Sequence, residues 1–307
     1  MKTYKLIISI CLLASTVFGV DKVLKSVPER TSLIAKIDLD TIKKIPFVKS
    51  FVEDSSNIKI SELRSAIQAY AGLDILKIQQ LWVVAGTENE FIFIARGGFD
   101  TLPVEQALRK LNKYGAMKVD GVHFAGMFDD QDNPGKKNLI AILDDKTVIV
   151  AQPKFGQEYL DIFSGKKNGL GTNDLRTIEK VEKSKYLVHA KSINLYIPEK
   201  DKANPVLGNM ESGELIIKES SKYLQARLET EAKDKKNVKG LAFILNGFIN
   251  GAKENKDPNQ NPIVREGIEN AKITSTNTGI VMQTKFSLTT LELLMKDQLN
   301  GLEAIFE

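Results

Sequence analysis

The chain is poor in the residues that carry most demanding chemistry. Among 307 residues it has one cysteine, Cys11, two histidines, His123 and His189, and one tryptophan, Trp82. One cysteine leaves no partner for an intramolecular disulfide and no set of thiolates for zinc. No G-x-S-x-G elbow occurs, and the histidines fall in predicted strands of different halves, so no Ser-His-acid arrangement is encoded locally. The apolar run near the start, Leu6 to about Leu13, is well short of the roughly 20 residues that span a bilayer. Neither sign of charge dominates, with 43 Lys and Arg against 39 Asp and Glu. A balance this even argues against nucleic acid as a partner.

What is present at the start is the layout of a secretory signal. Lys2 and Lys5 precede the apolar run, and Ala14-Ser15-Thr16-Val17-Phe18-Gly19 follows it. Val17 and Gly19 satisfy the small-x-small rule at the exit, which places cleavage after Gly19 and assigns residues 1–19 to a signal peptide. Removal would take away Cys11, Lys2 and Lys5. It would leave a cysteine-free chain of about 288 residues with a formal charge of +2 and no transmembrane helix. The expected location is periplasmic or secreted. An exported chain without disulfides is held by its core, and this length suffices for a large one.

Periodicity alternates between strand and helix. "SLIAKID" (Ser32–Asp38) predicts a strand running into a helix from about Leu39 to Glu53, broken near Pro46 because proline disfavours helical geometry at the residue before it. "SELRSAIQAYAG" predicts a helix closed by Gly72. "QLWVVAG" and "EFIFIARG" predict a hairpin, and "LPVEQALRKLNKYG" an amphipathic helix. The strands "VHFAGMF", "NLIAIL" and "TVIVAQ" and the helix "KFGQEYLDIFSG" close the first half. "GKKNGLGTND" (Gly165–Asp174), rich in lysine and glycine, is the expected linker. Beyond it come a helix near Asp174–Lys183, the strand "KYLVHAKS", and the hairpin "GELIIK"/"YLQARLET". A helix over Asn237–Asn250 follows, with Val238, Leu241, Ala242, Leu245, Phe248 and Ile249 in one stripe. A short helix from Pro262, the strands "KITSTN" and "GIVMQTKFS", and a last helix carrying Leu291, Leu294 and Met295 complete the chain.

Similar elements thus recur in similar order. "SLIAKIDL" matches "YLVHAKSINL" at an offset of about 154, and "FIFIARGGFD" matches "YLQARLETEA" at about 133. One shift of about twenty residues reconciles the two if the second half lacks the helix at Ser61–Gly72. The expectation is an α+β fold of two similar tandem domains, 20–168 and 169–307. Each would be a mostly antiparallel sheet with helices packed on one face, since hairpins favour antiparallel pairing. The stretches "SLIAKIDLDTIKKIPFVKSF", "LWVVAG…FIFIARGGFD" and "AILDDKTVIVAQP" resemble a family of exported bacterial proteins. The resemblance implies a duplicated α+β fold and an exported location. That family has no assigned activity, so it supplies no functional residues.

Candidate chemistry is sparse. "FDDQDNPGKKN" crowds Asp129, Asp130 and Asp132 together, with Gly135 sixth from Asp130 as in a calcium loop. Position twelve is Ala141 rather than a bidentate glutamate, and Pro134 takes a ligand position, so the tip of a hairpin is preferred over a weak calcium site. "GLGTND" ends in Asp174 where a dinucleotide turn needs glycine, and "SGKKNG" lacks the first glycine of a P-loop. Trp82 is expected in the core, and both histidines on sheet faces among neighbours that satisfy them. No cofactor is implied. The function expected is that of a non-catalytic exported protein binding or scaffolding an envelope protein or polymer. The alternative is a carboxylate-dependent hydrolase, which would need acids of raised pKa in a cleft.

Overall fold

The computed structural model describes residues 20–53, 65, 68, 72, 74–87, 90–98, 100–110, 115–129, 135–254 and 261–301. The first half runs through α1 (Lys22–Lys25), β1 (Thr31–Asp38), α2 (Leu39–Ile42), α3 (Pro46–Glu53), β2 (Ile78–Gly86) and β3 (Phe91–Gly97). It continues with α4 (Thr101–Lys110), β4 (Gly115–Met117), β5 (Phe124–Asp129), β6 (Lys137–Asp144), β7 (Thr147–Ala151) and α5 (Pro153–Phe163). The second half comprises α6 (Thr172–Glu182), β8 (Val188–Ser192), α7 (Glu199–Lys202), β9 (Met210–Ser220) and β10 (Tyr223–Ala232). It ends with α8 (Val238–Glu254), α9 (Pro262–Glu269), β11 (Lys272–Ser275), β12 (Gly279–Ser287) and α10 (Leu288–Gly301). The break predicted at Pro46 separates α2 from α3. Most of the helix expected at Ser61–Gly72 lies outside the described residues, but Gly72 has φ +67° and donates its amide to the Gln68 carbonyl, the geometry of a helix C-terminal cap.

The fold is α+β, built on one twelve-stranded antiparallel sheet in the order β11-β12-β10-β9-β8-β1-β2-β3-β7-β6-β5-β4. The sheets of the two halves meet where β1 pairs with β8, Ala35 opposite Ala190 and Lys36 opposite His189. Outward from that seam each half repeats a sequence of pairings. The hairpin β2–β3 is followed by β7 and β6 on one side, and the hairpin β9–β10 by β12 and β11 on the other.

Strand alternation sorts side chains onto two faces. In the first half Ile34, Trp82, Ile94, Ile149 and Leu139, all fully buried, share a face covered by α1, α5 and α6. Full burial of such side chains contributes roughly 1.5–3 kcal/mol each. Tyr159 of α5 donates its hydroxyl to the Val23 carbonyl at 2.6 Å, fixing α1 under the helix. The opposite face carries α4 against Phe124, Phe128, Ile142 and Val148. In the second half the helices change sides. α8 covers Ile273 and Ile280 with Val238, Leu241 and Ala242, on the face opposite His189, and α9 packs beside it against Phe286. That layer is loosely filled, with an apolar cavity of about 360 Å³ between it and β10 and β12. The predicted stripe on α8 is split accordingly. Its first turns are buried, whereas Phe248 is 69% exposed and its neighbour Phe243 is 81% exposed.

The expected linker is largely exposed, at 165–168 and 171–173, but is anchored at its middle. Leu170 is in the core, and a Cβ on Gly169 would lie 2.7 Å from the Lys25 carbonyl, so only glycine lets the chain pass. α6 follows directly and lies over both β1 and β8. Its C-terminus is held from below. Lys36, 2% exposed, donates through Nζ to the carbonyls of Glu182 (2.9 Å) and Ser184. These carbonyls are orphaned at the helix end, where a cation is favoured. Burial lowers the pKa of Lys36, while the charges of Asp38 and Glu182 oppose that shift. Lys36→Met should lower stability by about 2 kcal/mol, because it strips partners from two carbonyls at the helix end. Urea denaturation of the variant checks this, and an unchanged midpoint would mean that the lysine does not hold the helix.

Candidate functional site

Because the helices change sides, the face that carries the main core in the first half is uncovered in the second. Registers define its rows. His189, Ile216, Arg227, Gln283 and Lys272 lie opposite one another across β8, β9, β10, β12 and β11. Lys218, Gln225 and Lys285 form the next row, and Lys191, Glu214 and Glu229 the row on the other side. The period-2 pattern of β10 and β12 produces this: Leu224, Ala226 and Leu228 alternate with Gln225, Arg227 and Glu229, and Met282, Thr284 and Phe286 with Gln283 and Lys285. The result is a depression of about 720 Å³ bordered by Tyr186, with Asn270 and Lys272 at its far edge.

Its charge is uneven. Lys218, Arg227, Lys253, Lys272 and Lys285 line it, against Glu229 and Glu269. Arg227 is taken up by Glu229, two residues along the same strand, with Nε 2.6 Å from Oε1. Lys285 stands over the ring of Tyr223 at 4.6 Å, and Lys253 donates to the Ala271 carbonyl at 3.1 Å. At the seam the depression gives way to a tight polar cluster. His189, whose side chain is 1% exposed, contacts Glu214 through Nε2 at 2.7 Å. Lys191 donates to the same carboxylate at 2.9 Å, and Lys180 of α6 stands 3.4 Å away. A carboxylate only accepts, so Nε2 carries the proton and Nδ1 is left as a buried acceptor with no hydrogen-bond partner among the described residues.

Burial opposes ionisation of Glu214, but the hydrogen bonds from Lys191 and His189 outweigh it and hold the carboxyl down at about 2. Burial pushes His189 below its ordinary pKa, against the pull of Glu214. The hydrogen bonds that favour the ionised form of Glu214 also tie Lys191 and His189 to it, which anchors the seam. The carboxyl pushed up by burial is that of Glu182, which the charges of Arg96 and Lys36 oppose. Arg96 lies 3.0 Å from Asp21 and 3.9 Å from Glu182. The depression beside them is lined by Asp21, Arg96, Asp144 and Asp145 and does not include Glu182.

The residues singled out in the sequence are placed elsewhere. Asp129 closes β5 opposite Lys137, while Asp130 and Asp132 lie outside the described residues. β5 and β6 on either side of it are antiparallel neighbours. Among the described residues no group of three His, Cys, Asp or Glu is placed to hold a metal. Trp82 is fully buried, with Nε1 3.3 Å from the Gln80 side chain. His123 precedes β5 rather than lying within it; it is 52% exposed and 3.8 Å from Asp145. The open face was missed in the sequence, although the alternation in β10 and β12 carries its signal.

No protein-family model matches the chain, and no curated protein does. Among solved structures, crystal forms III and I of TP0453 are similar to it, each with a TM-score of 0.49 and 10% identity. Both comparisons cover 91% of this chain, with 99% and 98% of theirs. No described helix is long and apolar enough to cross a membrane.

The seam cluster makes stability depend on pH with a definite sign. His189 is held neutral, so its contribution is complete above its ordinary 6.5 and declines as pH falls below that value. Glu214 contributes fully above its ordinary 4.5, and that part is lost as pH falls toward about 2. Urea denaturation between pH 8 and 3 should show both declines in the wild type. Glu214→Gln should lose the lower one, and an identical acid profile in the variant would remove Glu214 as its source.

Proposed function

We propose that the protein is a non-catalytic, exported component of the cell envelope, periplasmic or secreted, that binds an envelope protein or polymer through the open face of β9 to β12. The observation that carries this is the uncovered polar face itself. The strands β9 to β12 turn this face to solvent while α8 and α9 pack on the other side, which leaves Lys218, Arg227, Gln283 and Lys285 exposed with no part in the core. Export is supported by the basic, apolar and small-residue layout of residues 1–19. The mirrored pairing order about β1 and β8 supports descent of both halves from a duplicated unit.

The binding test is affinity purification of the mature chain from its native envelope, alongside a Lys218→Glu/Lys285→Glu variant. The expected outcome is a stoichiometric partner held by the wild type and lost from the variant. A partner retained equally by both would place the interaction elsewhere, and a clean monomer with nothing bound would count against the binding function. N-terminal sequencing of the recovered protein should begin Val-Asp-Lys; retention of residues 1–19 would count against processing and export.

A further inference from the structure

We infer that the open face takes an acidic glycan, a linear chain bearing about one carboxylate or phosphate per disaccharide, laid across the strands. This rests on the binding function proposed above and names the class of its ligand.

Charge comes first. Whole-chain balance conceals a local excess, because the two acids of the depression do not offset its five cations. Pairing of Arg227 with Glu229 removes one charge of each sign and leaves Lys218, Lys253, Lys272 and Lys285 against Glu269. Lys218, Lys272 and Lys285 are exposed, and each lies one strand beyond a polar neighbour that separates it from the next cation. Lys218 and Lys285 flank Gln225 two strand spacings apart, and Arg227 and Lys272 flank Gln283 in the same way. Two spacings are roughly 10 Å, about the length of one disaccharide. Cation, amide, cation is therefore complete in the row Lys218–Gln225–Lys285, and in the adjacent row the Arg227 end is already paired with Glu229, which leaves Lys272 as its anion-binding end. The amides suit hydroxyls, being donor and acceptor at once, and the cations suit the charged groups at either end.

Shape and polarity decide between macromolecules. A protein partner needs an apolar patch at the centre of its interface, and Ile216 is the apolar side chain that the central row supplies. Sugars need aromatic rings beside hydrogen-bonding groups instead, and Tyr186 and Tyr223 border this face, the latter beneath Lys285. The depression is broad and lies across a sheet, which fits an extended chain better than a compact small molecule.

The test is calorimetric titration of the mature chain with hyaluronan oligosaccharides (one carboxylate per disaccharide), phosphorylated dextran substituted at about one phosphate per disaccharide, neutral dextran and single-stranded oligo-dT. Hyaluronan or phosphorylated dextran should bind, with affinity falling as salt rises from 50 to 300 mM. Dextran should not bind, and oligo-dT should bind more weakly. Which anionic arm binds identifies carboxylate or phosphate as the charged group. Lys218→Gln/Lys285→Gln should weaken binding about tenfold, while Lys166→Gln, in the loop between α5 and α6, should leave it unchanged. Equal weakening by Lys166→Gln, tighter binding of oligo-dT, or no binding of either anionic chain overturns the inference. If no glycan binds but a protein partner is captured on this face in the purification, the binding function stands and the glycan assignment alone falls. Circular dichroism of the double variant guards against misfolding, and Lys218→Arg/Lys285→Arg should restore binding.

Discussion

The pairing of β1 with β8 is the constraint on which the rest of the structure depends. Two half-sheets could lie side by side with separate cores, but here five residue pairs at the seam make them one sheet. Joining them puts Lys36 opposite His189 on a face that α6 must cover. Both side chains are polar and nearly inaccessible, so each needs a partner. Lys36 finds the carbonyls at the end of α6, and His189 finds Glu214. The seam is thus held by ladder hydrogen bonds, by one helix across it, and by two polar pairings that work only if the register is kept.

From that seam the helices part company. On the first-half side α5 and α6 lie over Ile34, Trp82 and Ile149, and on the second-half side α8 and α9 lie on the reverse of the sheet. A twelve-stranded sheet whose helices change sides must leave part of each face open. The chain fills one such area with lysine, arginine and glutamine, which tolerate water, and leaves phenylalanines of α8 in solvent on the other. The first area has a defined arrangement of charge and amide; the second has exposed apolar surface of a kind that folded monomers keep small.

Much of this architecture could be read in the sequence, because strands and helices are declared locally. The alternation in "FIFIARG", the break at Pro46 and the start of a helix at Pro262 all appear where periodicity placed them. Glycines were legible as breakers but not always for the right reason. At Gly97, which ends β3, a Cβ would meet the Lys77 carbonyl at 2.1 Å, so it marks a close backbone approach. The seam was illegible, since nothing local to β1 specifies a partner so distant in the chain. Which sheet face a helix covers is equally remote from its own periodicity, and the open face is the product of that choice. Attention in the sequence went to Asp129, Asp130 and Asp132, which stand out by crowding. The residues of the open face stand out only once four strands are laid side by side.

The seam also imposes an order of events. Ala35 and Ala190 are 155 residues apart, so during synthesis β1 is complete long before β8 exists. For that interval it is an edge strand, with half of its backbone groups unpaired, in a chain that already has most of a core. Such edges recruit other chains unless something spoils them, and an inward-pointing charge is one recognised deterrent. Lys36 is such a charge. Burying it without acceptors is costly, which disfavours pairing of an unaccompanied β1 with another chain. When α6 and β8 arrive they bring the two carbonyls that make the same burial favourable. One lysine therefore acts twice, first as a guard and afterwards as a latch, and the long delay between β1 and β8 is what makes the first role necessary.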